Sequence, residues 1–451
     1  MDLLRNAARV PPEKPVLVSG HRAWTREELA SQVRSRAREV TAELPPGSIR
    51  PLTLHPDEGG VVELLATWVA GGVPAPLSPQ LTPAERGAAL AALAGTPASD
   101  LPRGAVAVLW TSGTSGSPRG VVLSDAGLRA SAAASRERLG LTASDVWYAS
   151  LSPAHVGGLA LVTRALLLGS TLVAEGGAGL EPLLTAIRGT SSAPPATHLS
   201  LVPTQLHRLL DAWGEAPPPP THRCLLMGGA ATPAPLLARA LNAGWPVALT
   251  YGMTEMTSQL CTAPPDRVRE KPGTVGRPLP GNEIALAEDG EILARGATLA
   301  AGFVGTGAPL LDDEGWYPTG DLGRLDEDGD LWVVGRKSDR IMSGGVTVDP
   351  HEVEAALREH PAVRDVCVVG LPDPEWGERL AALVVRVTGD ASRREDGGAA
   401  PDHPLAAWAR KRLGAARLPR TWGTAPALPL NRNGKVDRDA VRDLLLAKGR
   451  G

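Results

Sequence analysis

Strand-like runs followed by helix-like runs recur through the first three hundred residues, and this alternation constrains the fold more than any other feature. GAVAVLW (104–110) precedes, after a loop, the helical DAGLRASAAASRERLG (125–140). THLSLVP (197–203) leads into TQLHRLLDAW (204–213), and HRCLLM (222–227) into PAPLLARALNAG (233–244). Strands joined through helices run parallel, so the expected fold class is α/β, with mostly parallel sheets covered by helices. In such sheets ligands sit at the carboxyl ends of the strands. TSGTSGSPRG (111–120), MGGA (227–230) and YGMTE (251–255) are all expected there.

From about 273 the texture changes. GTVGRPLPGNEIALAEDGEILARG carries DG and GN turn signals and reads as a β-rich subdomain extending to 336. Past GRKSDR (335–340) a compact α+β pattern follows: helix PHEVEAALREH, strands VRDVCVVGLPD and RLAALVVRV, helix HPLAAWARKRLG. The expected division is a large N-terminal domain, 1–336, and a small mobile C-terminal domain, 337–451. A chain of 451 residues has room for this, because one core rarely outgrows about 250–300 residues. TGDASRREDGGAAPDHP (388–404) reads as a surface loop and APPPPT (216–221) as a stiff connector.

A net charge of −3 and the absence of any block of like charges give no footing for nucleic acid. Cys224, Cys261 and Cys367 are too few and too scattered for a disulfide framework or a zinc site. MDLLRNAARVPPEKP lacks the apolar centre of a signal peptide. The longest apolar stretch, 157–174, carries Arg164 and reads as buried helix plus strand rather than a membrane span. The expected location is the cytoplasm, and a homo-oligomer stays open.

Only six of the 46 basic residues are lysine, at 14, 271, 337, 411, 435 and 448. In so arginine-biased a chain, a lysine inside a polar motif invites a chemical reason. Lys435 lies in NRNGKVDR, where a compact mobile cation could neutralise a carboxylate and a phosphate as they meet. TSGTSGSPRG is built to wrap phosphate oxygens with backbone N–H groups and hydroxyls, with Arg119 adding charge. It is not a P-loop, since G-x-x-x-x-G-K-[ST] occurs nowhere, which disfavours a P-loop NTPase. YGMTE supplies Tyr251 to stack on a base and Glu255 as a hard ligand suited to Mg²⁺. YPTGD (317–321) supplies Asp321, whose carboxylate can accept from two ribose hydroxyls.

Order and spacing matter more than any one string. WTSGTSGSPRGVVLS (110–124), YGMTE, the segment 315–345 and NRNGKVDRDAV (431–441) together resemble the adenylate-forming superfamily of acyl-CoA synthetases, firefly luciferase and peptide-synthetase adenylation domains. The resemblance covers nearly the whole chain. It implies an enzyme in which a carboxylate attacks the α-phosphate of ATP, and a thiol, commonly coenzyme A, then displaces AMP. It places Thr111, Ser112, Gly113, Thr114, Ser115, Gly116, Arg119 and Gly120 at the β- and γ-phosphates. Gly228, Gly229, Ala230, Tyr251, Gly252 and Thr254 complete the ATP site, with Glu255 on Mg²⁺ and Asp321 and Arg336 on the ribose. Lys435 bridges carboxylate and α-phosphate during adenylation. A rotation hinged within Arg336, Lys337 and Ser338 then exchanges it for Ser343, Gly344 and Gly345 in the thioester step. Arg119 stands where the family usually has lysine, and Ser338 where it often has aspartate; both keep the polarity required.

SPAHVGGL (152–159) and SLVPTQLHRLLD (200–211) most resemble the o-succinylbenzoate–CoA ligases of menaquinone biosynthesis. That likeness implies ATP, Mg²⁺ and coenzyme A, a small carboxylic acid as substrate, and His155 lining the acyl site. The untouched second carboxylate then needs a polar partner, for which Thr204, Gln205, His207 and Ser258 are the candidates. A ligase for another aryl or acyl acid, or for a carrier-protein thiol, is the competing reading. A non-catalytic nucleotide-binding relative fits less well with Glu255, Asp321 and Lys435 all retained.

Overall fold

The computed structural model describes residues 10–45, 47–79, 81–96, 100–112, 118–177, 179–190, 193–305, 310–387, 404–414, 417–431 and 436–448. The chain divides into two compact units. One is Met1–Thr319 with Arg324–Trp332; the other is Gly320–Gly323 with Val333–Gly451.

A parallel sheet covered on both faces needs apolar residues at consecutive positions, and the central sheet of the first unit is built so. Its nine strands lie in the order Arg277–Pro278, Ser258–Ala263, Val247–Met253, Cys224–Met227, His198–Leu201, Val146–Tyr148, Thr171–Val173, Pro15–Ser19, Arg22–Thr25. From Val247–Met253 to Pro15–Ser19 every neighbouring pair is parallel, and antiparallel strands close both edges. Leu17, Trp147 and Leu172 enter a core on one face, while their neighbours Val18, Val146, Tyr148 and Val173 enter a second core on the other. Helix Val156–Leu168 covers part of the sheet and is buried along nearly its whole length, Arg164 included. Arg164 donates to Gln259 Oε1 at 2.7 Å and stands 5.3 Å from the Trp147 ring. Burial lowers its pKa to about 10. Among the described residues no helix is long and apolar enough to cross a membrane.

Two expectations are corrected here. The stretch 104–140 is not strand, loop and helix. Ala105–Ser112 and Pro118–Ser124 pair antiparallel, and helix Asp125–Leu139 follows at once, capped by Ser124. The segment 113–117 therefore joins two strands of a hairpin, in a three-stranded sheet completed by Gly302–Phe303. The β-rich stretch after 273 is likewise shared out. Arg277–Pro278 ends the large sheet and Gly302–Phe303 joins the hairpin. Asn282–Leu286, Glu291–Gly296, Tyr317–Leu325 and Leu331–Arg336 form a four-stranded sheet in that order.

In the second unit Val363–Asp373 and Gly377–Arg386 form a long antiparallel hairpin, flanked by Ile341–Ser343 and Val346–Val348 and joined in parallel by Thr421–Thr424. Alternation again serves two faces. Val366, Val368, Leu380 and Val384 pack with helices Pro350–Arg358 and Pro404–Arg412, and Val369, Leu371, Leu383 and Val385 with helix Arg438–Lys448.

Candidate active site

Four segments converge at one edge of the central sheet because four adjacent parallel strands end there. Val146–Tyr148 leads to the turn before His155, His198–Leu201 to Val202, Cys224–Met227 to Gly228, and Val247–Met253 to Thr254. Gly228 and Gly229 follow their strand directly. Cβ atoms there would lie 2.9 Å from Thr250 Cγ2 and 3.1 Å from Val202 Cγ1, so the glycines let the three strand ends close up. Ala230 is half-buried beside them.

Tyr251, Gly252 and Met253 are part of the strand itself rather than of a loop after it. The register with Ser258–Ala263 slips between Tyr251 and Gly252, where a Cβ on Gly252 would fall 1.7 Å from the Ser258 carbonyl oxygen. Across this bulge Thr254–Met256 makes one 3₁₀ turn, and Thr257 and Ser258 both take positive φ, 48° and 101°. The strain is held by Thr257 Oγ1 donating to the Thr298 carbonyl at 2.6 Å and Ser131 Oγ donating to the Thr257 carbonyl at 3.0 Å. Ala300 N donates to the Glu255 carbonyl at 2.8 Å. The turn buries Glu255 to 6 % exposure, and among the described residues its carboxylate has no hydrogen-bond or ion-pair partner. A carboxylate held in this turn, with no protein cation paired to it among the described residues, offers hard oxygen ligands of the kind Mg²⁺ takes. Tyr251 is 9 % exposed and packs with Met256, Leu260, Cys261 and Ile292.

Asp326, Asp328 and Asp330 bring carboxylate oxygens within 4.8 Å of one another, but they are matched by protein cations. Lys271 reaches Asp326 at 2.8 Å and Asp328 at 2.5 Å, and Arg267 reaches Asp328 at 2.8 Å and Asp330 at 2.5 Å. One scarce lysine thus has a structural reason.

The remaining candidates separate by what their side chains touch. His155 is the N-cap residue of helix Val156–Leu168, yet its side chain makes no capping hydrogen bond. Thr204 and Ser258 are half-buried. Gln205 is committed to the scaffold: its Oε1 accepts from Val202 N at 3.0 Å and its Nε2 donates to the Ser150 carbonyl at 3.2 Å. His207 is exposed and pairs with Asp211 at 2.9 Å, which also binds Arg239 at 2.6 Å. Gln205 is thus engaged at both ends of its amide and His207 through its Nδ1. Gly120 is buried beneath Val304 and Val108, so its missing side chain serves packing. Arg119 is exposed, with its guanidinium 5.3 Å from the ring of Phe303. Thr111 Oγ1 donates to the Arg119 carbonyl at 3.4 Å. Ser112 ends its strand. Gly113, Thr114, Ser115 and Gly116, with Lys435, lie outside the described residues.

In the second unit Arg336 Nε donates to Asp321 Oδ1 at 2.6 Å. Both belong to this unit by contact, although the sequence put them at the end of the first. Lys337 and Ser338 are exposed in the 3₁₀ turn Lys337–Asp339. Ser343 is a buried strand residue rather than part of a loop. Gly344 and Gly345, at φ 58° and 79°, form the two-residue turn after it, as a tight hairpin of this hand requires.

The model of the AMP-binding enzyme family matches residues 91–304, and that of the AMP-binding enzyme C-terminal domain matches 352–435. The 2-succinylbenzoate–CoA ligase of Bacillus anthracis (strain A0248) is 34 % identical over 356 residues, 76 % of this chain and 70 % of that protein. This chain belongs to the AMP-binding enzyme family. Its counterpart from Bacillus mycoides (strain KBAB4) is 35 % identical over 354 residues, again 76 % of this chain and 70 % of the relative. Among solved structures, the o-succinylbenzoate CoA synthetase of Bacillus subtilis in complex with its acyl-adenylate intermediate superposes with a TM-score of 0.85 at 28 % identity, covering 98 % of each chain. The ATP-bound MatB of Rhodopseudomonas palustris shares the fold, with a TM-score of 0.82 at 24 % identity over 98 % of each chain. As an AMP-binding enzyme, the chain has Glu255, Gly228 and Gly229 within the residues matched by the first family model.

Proposed function

We propose that this AMP-binding enzyme is an ATP-dependent acid–CoA ligase acting on 2-succinylbenzoate. A carboxylate oxygen of the acid bonds to the α-phosphorus of ATP and pyrophosphate leaves. The thiolate of coenzyme A then bonds to the acyl carbonyl carbon and AMP leaves. The observation that carries the reading is the buried Glu255, partnerless among the described residues and held where four strand ends converge, in a chain 34 % identical to ligases of that name. Glu255 would hold Mg²⁺, which when bound would supply charge neutralisation on the phosphates. Tyr251, Gly228, Gly229 and Ala230 line the nucleotide side, and His155 the acyl side. Thr204 and Ser258, both half-buried, receive the second carboxylate. Asp321 and Arg336 hold the ribose, and Lys435 bridges carboxylate and α-phosphate in the first step only, giving way to the Gly344–Gly345 turn in the second. Three buried free cysteines accord with a reducing, cytoplasmic setting.

The test is pyrophosphate release with 2-succinylbenzoate against benzoate, medium-chain acids and acetate, followed by thioester formation with coenzyme A or a carrier protein. Preference for 2-succinylbenzoate and for coenzyme A is expected; equal turnover of the other acids defeats the substrate assignment. Lys435→Ala should abolish acyl-adenylate formation yet still convert supplied acyl-adenylate and coenzyme A to thioester. Equal loss in both steps defeats the division of labour.

A further inference from the structure

Arg438 opens the last helix, three residues after Lys435, and spreads its guanidinium over the second unit. Its Nη1 donates to Glu354 Oε1 at 2.8 Å and to the Val368 carbonyl at 2.7 Å. Its Nε pairs with Asp339 Oδ2 at 3.1 Å, and its Nη2 lies 3.3 Å from the His351 ring nitrogens. Glu354 is 2 % exposed; its Oε1 also accepts from Val368 N at 2.9 Å, and its Oε2 pairs with His351 Nδ1 at 3.3 Å.

Two of these partners bracket the turn expected to act as the hinge. Asp339 closes the 3₁₀ turn Lys337–Asp339. On the other side a Cβ on Gly335 would stand 2.7 Å from His351 Cδ2, so His351 packs directly on the strand entering that turn. One network therefore holds both sides of residues 336–338 together with Arg438, which follows Lys435 by three positions in the sequence. Buried ion networks add little net stability, because desolvation cancels most of the attraction; what they fix well is geometry. Arginine suits the task, since its rigid fork binds two carboxylates and a carbonyl in set directions, which a lysine ammonium does not.

We propose that Arg438 is a positioning residue for the adenylation step, tying the Lys435 segment to the hinge turn through Asp339 so that lysine and hinge move together. This rests on the ligase reading and on the role given there to Lys435. A lysine displaced by about 1 Å can cost on the order of 100-fold in rate.

The test measures pyrophosphate release from ATP and 2-succinylbenzoate, and separately thioester formation from supplied acyl-adenylate and coenzyme A, on the full chain. Arg438→Met should lower kcat of the first step by roughly 100-fold, with KM for ATP and the second step changed less than about threefold. Arg438→Lys should recover roughly tenfold, by keeping the charge without the fork. Asp339→Asn should show a partial defect in the first step alone, and adding it to Arg438→Met should cost nothing more, as for two parts of one link. Equal losses in both steps, or a lower unfolding temperature with both steps intact, overturn the proposal. If Arg438→Met does not fold, Arg438→Lys and Asp339→Asn decide: no selective effect in either is a refutation. A wild-type chain that releases no pyrophosphate with any acid defeats the ligase reading, and this inference with it. An active wild type whose variants are unselective defeats the inference alone.

Discussion

At the scale of single residues, the site depends on one glycine whose need is invisible in its own string. Gly252 has an ordinary place in YGMTE, yet the Ser258 carbonyl occupies the space its Cβ would need, at 1.7 Å. That contact is with backbone, which cannot swing aside, and the same bulge buries Glu255. Gly252→Ala should therefore destabilise the chain by about 3 kcal/mol, at the upper end for overpacking, and abolish pyrophosphate release. Gly228→Ala is the comparison, because its obstruction, at 2.9 Å, is a single side-chain methyl of Thr250 rather than backbone. Urea midpoints of the two variants should differ clearly, and equal midpoints would refute the role given to the bulge. The sequence named Glu255, Tyr251 and Gly252 from their string. It did not show that Thr257 and Ser258 take positive φ, because neither is a residue type that favours it. It also proposed Gln205 and His207 for the second carboxylate. Their protein partners, the Ser150 carbonyl for one and Asp211 for the other, belong to a loop of distant sequence and to the solvent side of a helix.

At the scale of elements, helices with clear periodicity were legible, and so were strands bounded by turn residues. Pro203–Trp213, Ala234–Asn242 and Val363–Asp373 lie within a few residues of where the pattern put them. What failed was pairing. A buried apolar run such as VVLS reads alike in parallel or antiparallel company, and its partner Gly302–Phe303 lies some 180 residues away. The Gly344–Gly345 turn shows the same limit. Its glycines mark a hairpin, but its cover, Trp376, comes from the turn between two other strands. Trp376 accepts from Gly344 N through its carbonyl at 2.9 Å and places its ring where a Gly344 Cβ would be 2.6 Å from Cε3. Arg420 lies 3.8 Å over the same ring. Gly344→Ala must move the indole and also bear φ 58°, so it should slow thioester formation at least roughly tenfold while leaving pyrophosphate release near normal. Adding Trp376→Ala should restore part of the loss, because it removes the clash but not the backbone strain. Loss of pyrophosphate release instead would place this turn in the first step.

At the scale of the whole molecule, the two units carry histidines shifted in opposite directions. In the first unit, burial holds His198 at about 3 and His222 at about 4, so both are neutral when folded. The unfolded chain takes up those protons near 6.5, so their contribution is complete above that pH and is lost as pH falls. In the second unit burial alone would lower His351, but the carboxylates of Asp339 and Glu354 outweigh it and hold the ring at about 9, against repulsion from Arg438. His351 binds its proton more tightly folded than unfolded, so its contribution is complete below about 6.5 and is lost as pH rises through about 9. His360 is lowered by burial and opposes this. Glu354, held at about 2 chiefly by His351 and Arg438 against the upward push of burial, weakens this unit only when pH falls below its ordinary 4.5. Between pH 6.5 and 5 the first unit, with two such histidines, should therefore lose more stability than the second, where His360 alone acts in that sense; between pH 7 and 9 the second should fall more than the first. Urea midpoints read from peptides of each unit, by a short exchange pulse at one common pH after equilibration, separate the two. His351→Gln should flatten the alkaline limb of the second unit and leave its acid limb. Midpoints that move in parallel in both units, or an alkaline limb untouched by His351→Gln, would show that the charged network around Arg438 does not bind His351 in its protonated form.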